Sequence, residues 1–423
     1  MLPGGLMRLS PLFALVVLAG CGVPEPGELY ASKLSRIRTP QVSEEDSRAL
    51  SAGHQDFAFA LYHQLPGDAA NRVVSPYSVS KMMAQLWAGA RNETEQQIAT
   101  AMRFSLEQSR FHPAFDKLDL QLEQMGQGAR GANGGPFQFR SVDAAFVQRG
   151  MYIDSAYLDT LAQHYGTAVR GMDFIAEPED ARVKINDWVE GMTEGKIRDL
   201  LAPGTITPDV RLAVVDAVYL SAAWLNTFET SKTHPRTFHR LDETSVQVQM
   251  MTREAKYQVG EGDGYTAVGL PYDADGLSFL LVLPDQGRFT EVEQRLDRAF
   301  LDEVVAGLSE HEIVVGLPRF SARQEVDLKP ILQSFGMGAA FTEAADFSGI
   351  NGDTDLLLLE VGQQATIDVN ESGTVAAAAA WGLGGVTSAP TSVVVDRPFL
   401  FLIREASTGA ILFLGRIEDP TAG

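Results

Sequence analysis

The chain has 423 residues, 45% of them hydrophobic and 21% charged, an ordinary globular composition with ample material for a core. Its formal net charge of −21 argues against nucleic acid, which demands a basic face, and gives no electrostatic attraction to anionic lipid. With one cysteine, no intramolecular disulfide can form.

In chain order, Arg8 precedes a wholly apolar run, Leu12 to Leu18, too short to span a bilayer and of the kind found in signal peptides. Leu18-Ala19-Gly20-Cys21 resembles a bacterial lipobox, so residues 1–20 are read as a signal peptide cut before a lipidated Cys21. Met1 and Met7 are both available as starts. Acyl chains contribute about 0.8 kcal/mol per buried methylene, so two or three would hold firmly. The expectation is an exported protein, lipid-anchored to the cell envelope or extracellular, touching membrane through the lipid alone. Residues 21–45, with Pro24, Pro26, Gly27 and Pro40, have the composition of a tether.

Ser43 then reads as a helix cap, with Glu44, Glu45 and Asp46 in the first turn, and Leu50, Phe57, Leu61 and Leu65 recur at helical spacing up to Pro66. Further helices are predicted over 79–90, 93–101, 112–125, 155–165 and 180–194. The glycine-rich stretch 126–136 is a loop; it lacks the Gly-Lys-Ser/Thr of a phosphate cradle. Strands are predicted over Val214–Leu220, Val246–Met250, Leu277–Leu283, Ile313–Leu317, Leu356–Val361, Val393–Val395, Phe399–Ile403 and Ile411–Leu414. Helices early and strands late give an α+β class with large sheets.

Catalytic motifs are missing. There is no Gly-x-Ser-x-Gly elbow, His311-Glu312 lacks the second histidine of a zinc-protease helix, and the seven histidines show no ligand spacing. Most of the acidic residues read as solvated charge on helix faces and in turns. The chain is therefore expected to be no enzyme and to need no cofactor or metal.

Several strings resemble one family in order and spacing. They are Ser75-Pro76-Tyr77-Ser78 with Gly89-Ala90 and Thr94; Ile185-Asn186-Asp187-Trp188-Val189 with Thr193, Gly195, Lys196 and Ile197; and Trp224 with Phe228. Leu317-Pro318-Arg319-Phe320, Phe335-Gly336-Met337, Ala345-Asp346-Phe347-Ser348-Gly349, Arg397-Pro398-Phe399 and Phe413-Leu414-Gly415-Arg416 follow. Together they resemble a serpin, an inhibitor of serine proteases. The resemblance implies one domain over 46–423, with three β-sheets, eight or nine helices and an exposed reactive-centre loop, working as a monomer. It also puts Trp224 at the breach, where the main sheet opens.

Residues 371–390 carry the function that the resemblance implies. By propensity alone Val375–Trp381 would be a helix, and Gly382, Gly384 and Gly385 would suit a flexible linker. The string Glu371-Ser372-Gly373-Thr374 followed by five alanines resembles instead the hinge of inhibitory serpins. The cleaved loop must slide between two strands of the main sheet, so every second side chain turns underneath it. Thr374, Ala376, Ala378 and Ala380 are such a set, all small, and Gly373 supplies freedom at the pivot. Roughly a dozen inserted residues would gain ladder bonds on both sides, at about 1 kcal/mol net per bond on the order of 10–20 kcal/mol. A whole domain is stable by about 5–15 kcal/mol, so the intact form is expected to be a kinetic trap.

By the same resemblance the scissile bond is Thr387–Ser388, fourteen residues beyond Gly373. Thr387, or Val386 with the register one residue earlier, is small and β-branched, which suits a serine protease with a shallow apolar pocket, elastase-like or subtilisin-like. The alternative is a non-inhibitory serpin acting as a binding or carrier module, which the small-residue hinge disfavours. Two positions depart from the family. Asp216, eight residues before Trp224, replaces asparagine, and Gln363, eight before Glu371, replaces histidine. The pair is expected to meet near Ser75 and Ser78 as the shutter of the sheet, because a buried carboxylate needs donors and an amide offers two.

Overall fold

The structure is a computed structural model that describes residues 26–422, apart from 68, 133 and 375–390. Its strands form two sheets. The first has seven strands in the order Glu28–Tyr30, Val169–Met172, Gln138–Gln148, Leu212–Ala223, Gly373–Thr374, Gly362–Asn370 and Phe320–Asp327. The second has nine, running from Ser392–Val394 through Ser309–Pro318, Ser245–Gly262, Tyr265–Pro271, Leu277–Pro284, Phe399–Glu405 and Ile411–Ile417 to Arg72–Val74, with His234–His239 paired beside the path. Three sheets were expected. The 18-residue strand Ser245–Gly262 joins two of them, since it pairs with His234–His239 at one end and with Tyr265–Pro271 at the other. Ten α-helices are found among the described residues rather than eight or nine, three of them of six residues or fewer.

Helix Glu44–His63 starts at Ser43, whose hydroxyl accepts from the Asp46 amide at 3.0 Å. Helix Pro76–Gly89 is capped by Ser75 and has proline in its first turn, where the missing N–H costs nothing. All but one of its residues are buried, because it packs against strands of both sheets. The helices Asn92–Ala101, Gln108–Met125, Ser155–Tyr165 and Pro178–Met192 lie where periodicity placed them, to within a turn.

Three expectations are corrected. The run Leu356–Val361 is no strand: Leu356 and Leu358 are buried in irregular chain, and the strand follows at Gly362–Asn370. An apolar run reports burial, not backbone geometry. Residues 26–43 do not run free as a tether. Glu28–Tyr30 adds an edge strand to Val169–Met172, the Ile37 amide donates to the Gln163 carbonyl at 2.9 Å, and Arg36 bonds Asp116 at 2.8 Å and Asp119 at 2.5 Å. Nor are the acidic residues outside the shutter all solvated, since Asp116 and Asp119 are buried against Arg36 and Lys81, and the Asp143 side chain is almost covered beside Lys81 and Gln85. Among the described residues, no helix is long and apolar enough to cross a membrane.

Candidate functional site

The site is the seam between the strands Leu212–Ala223 and Gly362–Asn370. The two run parallel and pair directly over Asp216–Val218 and Gln363–Ala365. Beyond Asn370 the chain reverses at Glu371-Ser372, and Gly373–Thr374 enters the same seam from its upper end, antiparallel to both neighbours. Thr374 faces Ala222 on one side and Val369 on the other. The sequence favours this turn: Asn370 Oδ1 accepts from the Ser372 amide at 3.0 Å, and Gly373 has φ +148°, where a Cβ would collide with the Ala222 carbonyl.

The hinge is pinned by groups from several elements. Trp224 Nε1 donates to the Asn370 carbonyl at 2.9 Å, and its amide donates to the Ser372 carbonyl at 3.0 Å. The Trp224 ring stacks on Tyr272 at 4.6 Å, and the Tyr272 hydroxyl bonds Thr374 Oγ1 at 2.8 Å beneath the sheet. Glu371 accepts from Arg319 Nε at 2.8 Å and from the Thr233 hydroxyl at 2.6 Å. Burial opposes its ionisation, but the Arg319 and Thr233 bonds outweigh it and hold the carboxyl below the usual range.

Lower in the seam, Gln363 Nε2 donates to Asp216 Oδ2 at 2.8 Å and to the Ser75 carbonyl at 2.9 Å, while Gln363 Oε1 accepts from the Ser75 amide at 2.9 Å. The Ser78 hydroxyl bonds Asp216 Oδ1, and Ser141 bonds Ser78 at 3.2 Å. Burial pushes the Asp216 carboxyl up to about 7; the Ser78 bond opposes the shift and the Asp143 charge adds to it. Asp143 is bonded in turn by Gln85 at 2.8 Å, and Lys81 lies 3.7 Å from Asp143 and 3.2 Å from Asp119. A buried polar chain thus leads from the seam toward Arg36 on the N-terminal segment.

The structure brings Ser75, Ser78, Asp216 and Gln363 into one cluster, and Trp224, Glu371, Ser372, Gly373 and Thr374 into another. Cys21, Ala376, Ala378, Ala380, Thr387 and Ser388 lie outside the described residues. Sequence reasoning missed Arg319, Thr233 and Tyr272 around the hinge, and Ser141 and Asp143 beside the shutter. Arg319 sat within a recognised string, but no local pattern links it to a carboxylate 52 residues away. Chemically the site offers a seam and hydrogen-bonding groups, with no nucleophile–base pair, and among the described residues no His, Cys, Asp and Glu cluster fit for a metal.

Residues 52–420 match the family described as Serpin (serine protease inhibitor). Plasminogen activator inhibitor 1 of Bos taurus is 31% identical over 98% of this chain and 100% of its own length. A serpin-like protein of Thermococcus kodakarensis is 31% identical over 94% of this chain and 92% of its own. Among solved structures, human thyroxine-binding globulin complexed with thyroxine matches with TM-score 0.78 and 27% identity, over 89% of this chain and 99% of that one. Uncleaved ovalbumin, at 24% identity, shares the fold with TM-score 0.79 over 88% of this chain and 100% of its own. A two-sheet α+β fold with a hinge entering its central seam, together with a family match over most of the chain, makes this protein a member of the serpin family of serine protease inhibitors, not an enzyme.

Proposed function

We propose that the protein inhibits serine proteases as a suicide substrate, trapping the acyl-enzyme by inserting its cleaved loop into the seam. The observation that carries this reading is the hinge: Gly373–Thr374 already pairs with strands on both sides, antiparallel to each. Continuing the register by simple counting puts Ala376 between Leu220 and Ile367, Ala378 between Val218 and Ala365, and Ala380 between Asp216 and Gln363. These three alternate residues turn the same way as Thr374, under the sheet, where alanine fits without burying a charge.

Insertion to Ala380 requires the direct pairing of Asp216–Val218 with Gln363–Ala365 to part. Neighbouring strands stand about 4.8 Å apart, so a strand between them doubles the separation and breaks the Gln363–Asp216 bond. In this reading Ser75, Ser78, Asp216 and Gln363 act as the shutter, Trp224 and the Glu371–Arg319 pair as the breach, and Thr387–Ser388 as the scissile bond. The acylated protease is carried along with the loop, and its triad and oxyanion hole lose the geometry that deacylation needs. The target class is an elastase-like or subtilisin-like protease, because no Arg or Lys lies between Glu371 and Asp396. Export and lipidation at Cys21 complete the proposal, with the protein working as a monomer at the envelope or outside the cell.

The test is a panel of serine proteases run for SDS-resistant complex. Elastase or subtilisin is expected to give a covalent complex, with loop fragments ending at Thr387. Simple cleavage by every protease, with no complex, would favour the binding or carrier module instead. Cleavage is also expected to raise the melting temperature by roughly 10–25 °C, since on the order of 10–20 kcal/mol of added ladder is divided by an unfolding entropy of about 0.8 kcal/mol/K for a domain of this size.

A further inference from the structure

Below the Asp216–Gln363 pairing the seam widens into a cavity of about 170 Å³. Its walls include Leu200, Leu201, Ile206 and Val210 of the linker that follows helix Pro178–Met192, with Val215 and Leu359 from the two sides of the seam. Of the shutter and hinge residues only Gln363 borders this space. Glu325, Asp327 and Glu360 also line it, and since a cavity of ~150 Å³ can hold a benzene ring, the space is of the order of an aromatic ring with polar groups at its border.

The register says which one. The residues that alternate with the buried set, Val375, Ala377, Ala379, Trp381 and Leu383, face the helix side of the sheet once inserted. Counting from Thr374 opposite Ala222 and Val369, Val375 falls between Ser221 and Asp368, Ala377 between Tyr219 and Thr366, and Ala379 between Ala217 and Gln364. Trp381 falls between Val215 and Gly362, and Leu383 between Ala213 and Glu360. All four of those last neighbours line the cavity. The two bulky side chains of a loop otherwise built from small residues therefore arrive where the space is, beside Gly362, which has no side chain to occupy it. Val215 already belongs to an apolar cluster with Ile185 and Trp188 on that face.

We propose that this cavity is a preformed seat for Trp381 of the chain's own cleaved loop, with Leu383 closing it below, so that the last part of insertion is driven by apolar burial. The inference rests on the inhibitory reading above, and its test separates the two. The tryptophans at 87, 188 and 224 are already buried, but Trp224 bonds the hinge and Trp188 packs beside the cavity, so the part of an emission change that Trp381→Phe removes is what reports Trp381. The full chain is cut at the loop, the cut is mapped by mass spectrometry, and emission, acrylamide quenching and melting temperature are compared for wild type, Trp381→Phe and Trp381→Ala. The expected result is a blue shift and loss of quenching on cleavage of wild type, no such shift in Trp381→Phe, and a cleaved Trp381→Ala form that melts several degrees below cleaved wild type. If cleaved wild type gains its melting temperature while Trp381 stays quenchable and Trp381→Ala melts with it, the loop inserts but the seat is wrong. If no form gains stability on cleavage, both readings fall. A blue shift that grows with protein concentration would assign the cavity to a second copy's loop and overturn the intramolecular seat.

Discussion

The two sheets are sealed in different ways. In the nine-stranded sheet, Phe399–Glu405 lies between Leu277–Pro284 and Ile411–Ile417 with pairing along most of its length, and Leu280, Leu281, Phe401, Leu402, Phe413 and Leu414 are fully buried. Phe401 stacks on Phe279 at 5.2 Å. In the seven-stranded sheet the central seam is held by three direct residue pairs, two hinge residues and a set of buried polar bonds. Apolar close packing has no substitute partner once parted, whereas a carboxylate or amide can exchange one hydrogen-bond partner for another. A permanent sheet suits the first kind of seal, and one that admits a new strand suits the second.

The largest test of that contrast is Phe401→Ala. It is expected to cost about 3–5 kcal/mol in the intact protein, and as much in the cleaved one, by denaturant unfolding. A loss below about 1 kcal/mol would mean that this sheet is less tightly sealed than its packing indicates.

Asp216→Asn probes the polar seam. The folded carboxyl, raised to about 7 from 3.8, favours the protonated intact state, so its contribution is fully present below about pH 4 and is lost as pH rises through about 7. At about 1.4 kcal/mol per unit, wild type should lose a few kcal/mol across that window. The substitution should flatten the slope and stabilise the intact form at alkaline pH, with Asp143, Lys81 and Asp119 the nearest other charges. Parallel stability–pH curves for the two proteins would contradict the assignment.

Glu371→Ala removes the bonds to Arg319 and Thr233. About 1–3 kcal/mol of hinge anchoring should go with them, read as a shorter half-life of inhibitory activity at fixed temperature. An unchanged half-life would show that Trp224 and Tyr272 hold the hinge without the Glu371 bonds. Tyr272→Phe leaves the packing and takes one bond from Thr374, so a loss of about 0.5–1.5 kcal/mol is expected, and a larger one would mean the ring itself has shifted.

Part of the site was legible. The alternation of small residues after Gly373 and the departures at Asp216 and Gln363 are visible in the string, and the structure sets that pair 2.8 Å apart. The strand Gly362–Asn370 was not legible, because its paired glutamines Gln363 and Gln364 read as polar chain, yet both are buried and Gln363 is bonded to Ser75 and Asp216 far away in the sequence. Nor was Gln138–Gln148, whose Ser141 and Asp143 interrupt an apolar pattern and turn inward to Ser78 and Gln85. The segment 26–43 misled for the converse reason: a proline-rich composition describes a free chain, and Arg36 meets its carboxylates only after the helix Gln108–Met125 has packed.

The sequence by itself determined the six helices of the first half, whose periodicity and caps act within a turn or two of chain, though not the four short ones from Phe289 onward, and the family, which many short strings report together. Only the tertiary structure decided which strands flank the hinge, which carboxylates are buried, and where the seam is left empty. Those are contacts between residues tens to hundreds of positions apart, and hydrogen bonding and excluded volume at such separations leave no local pattern to read.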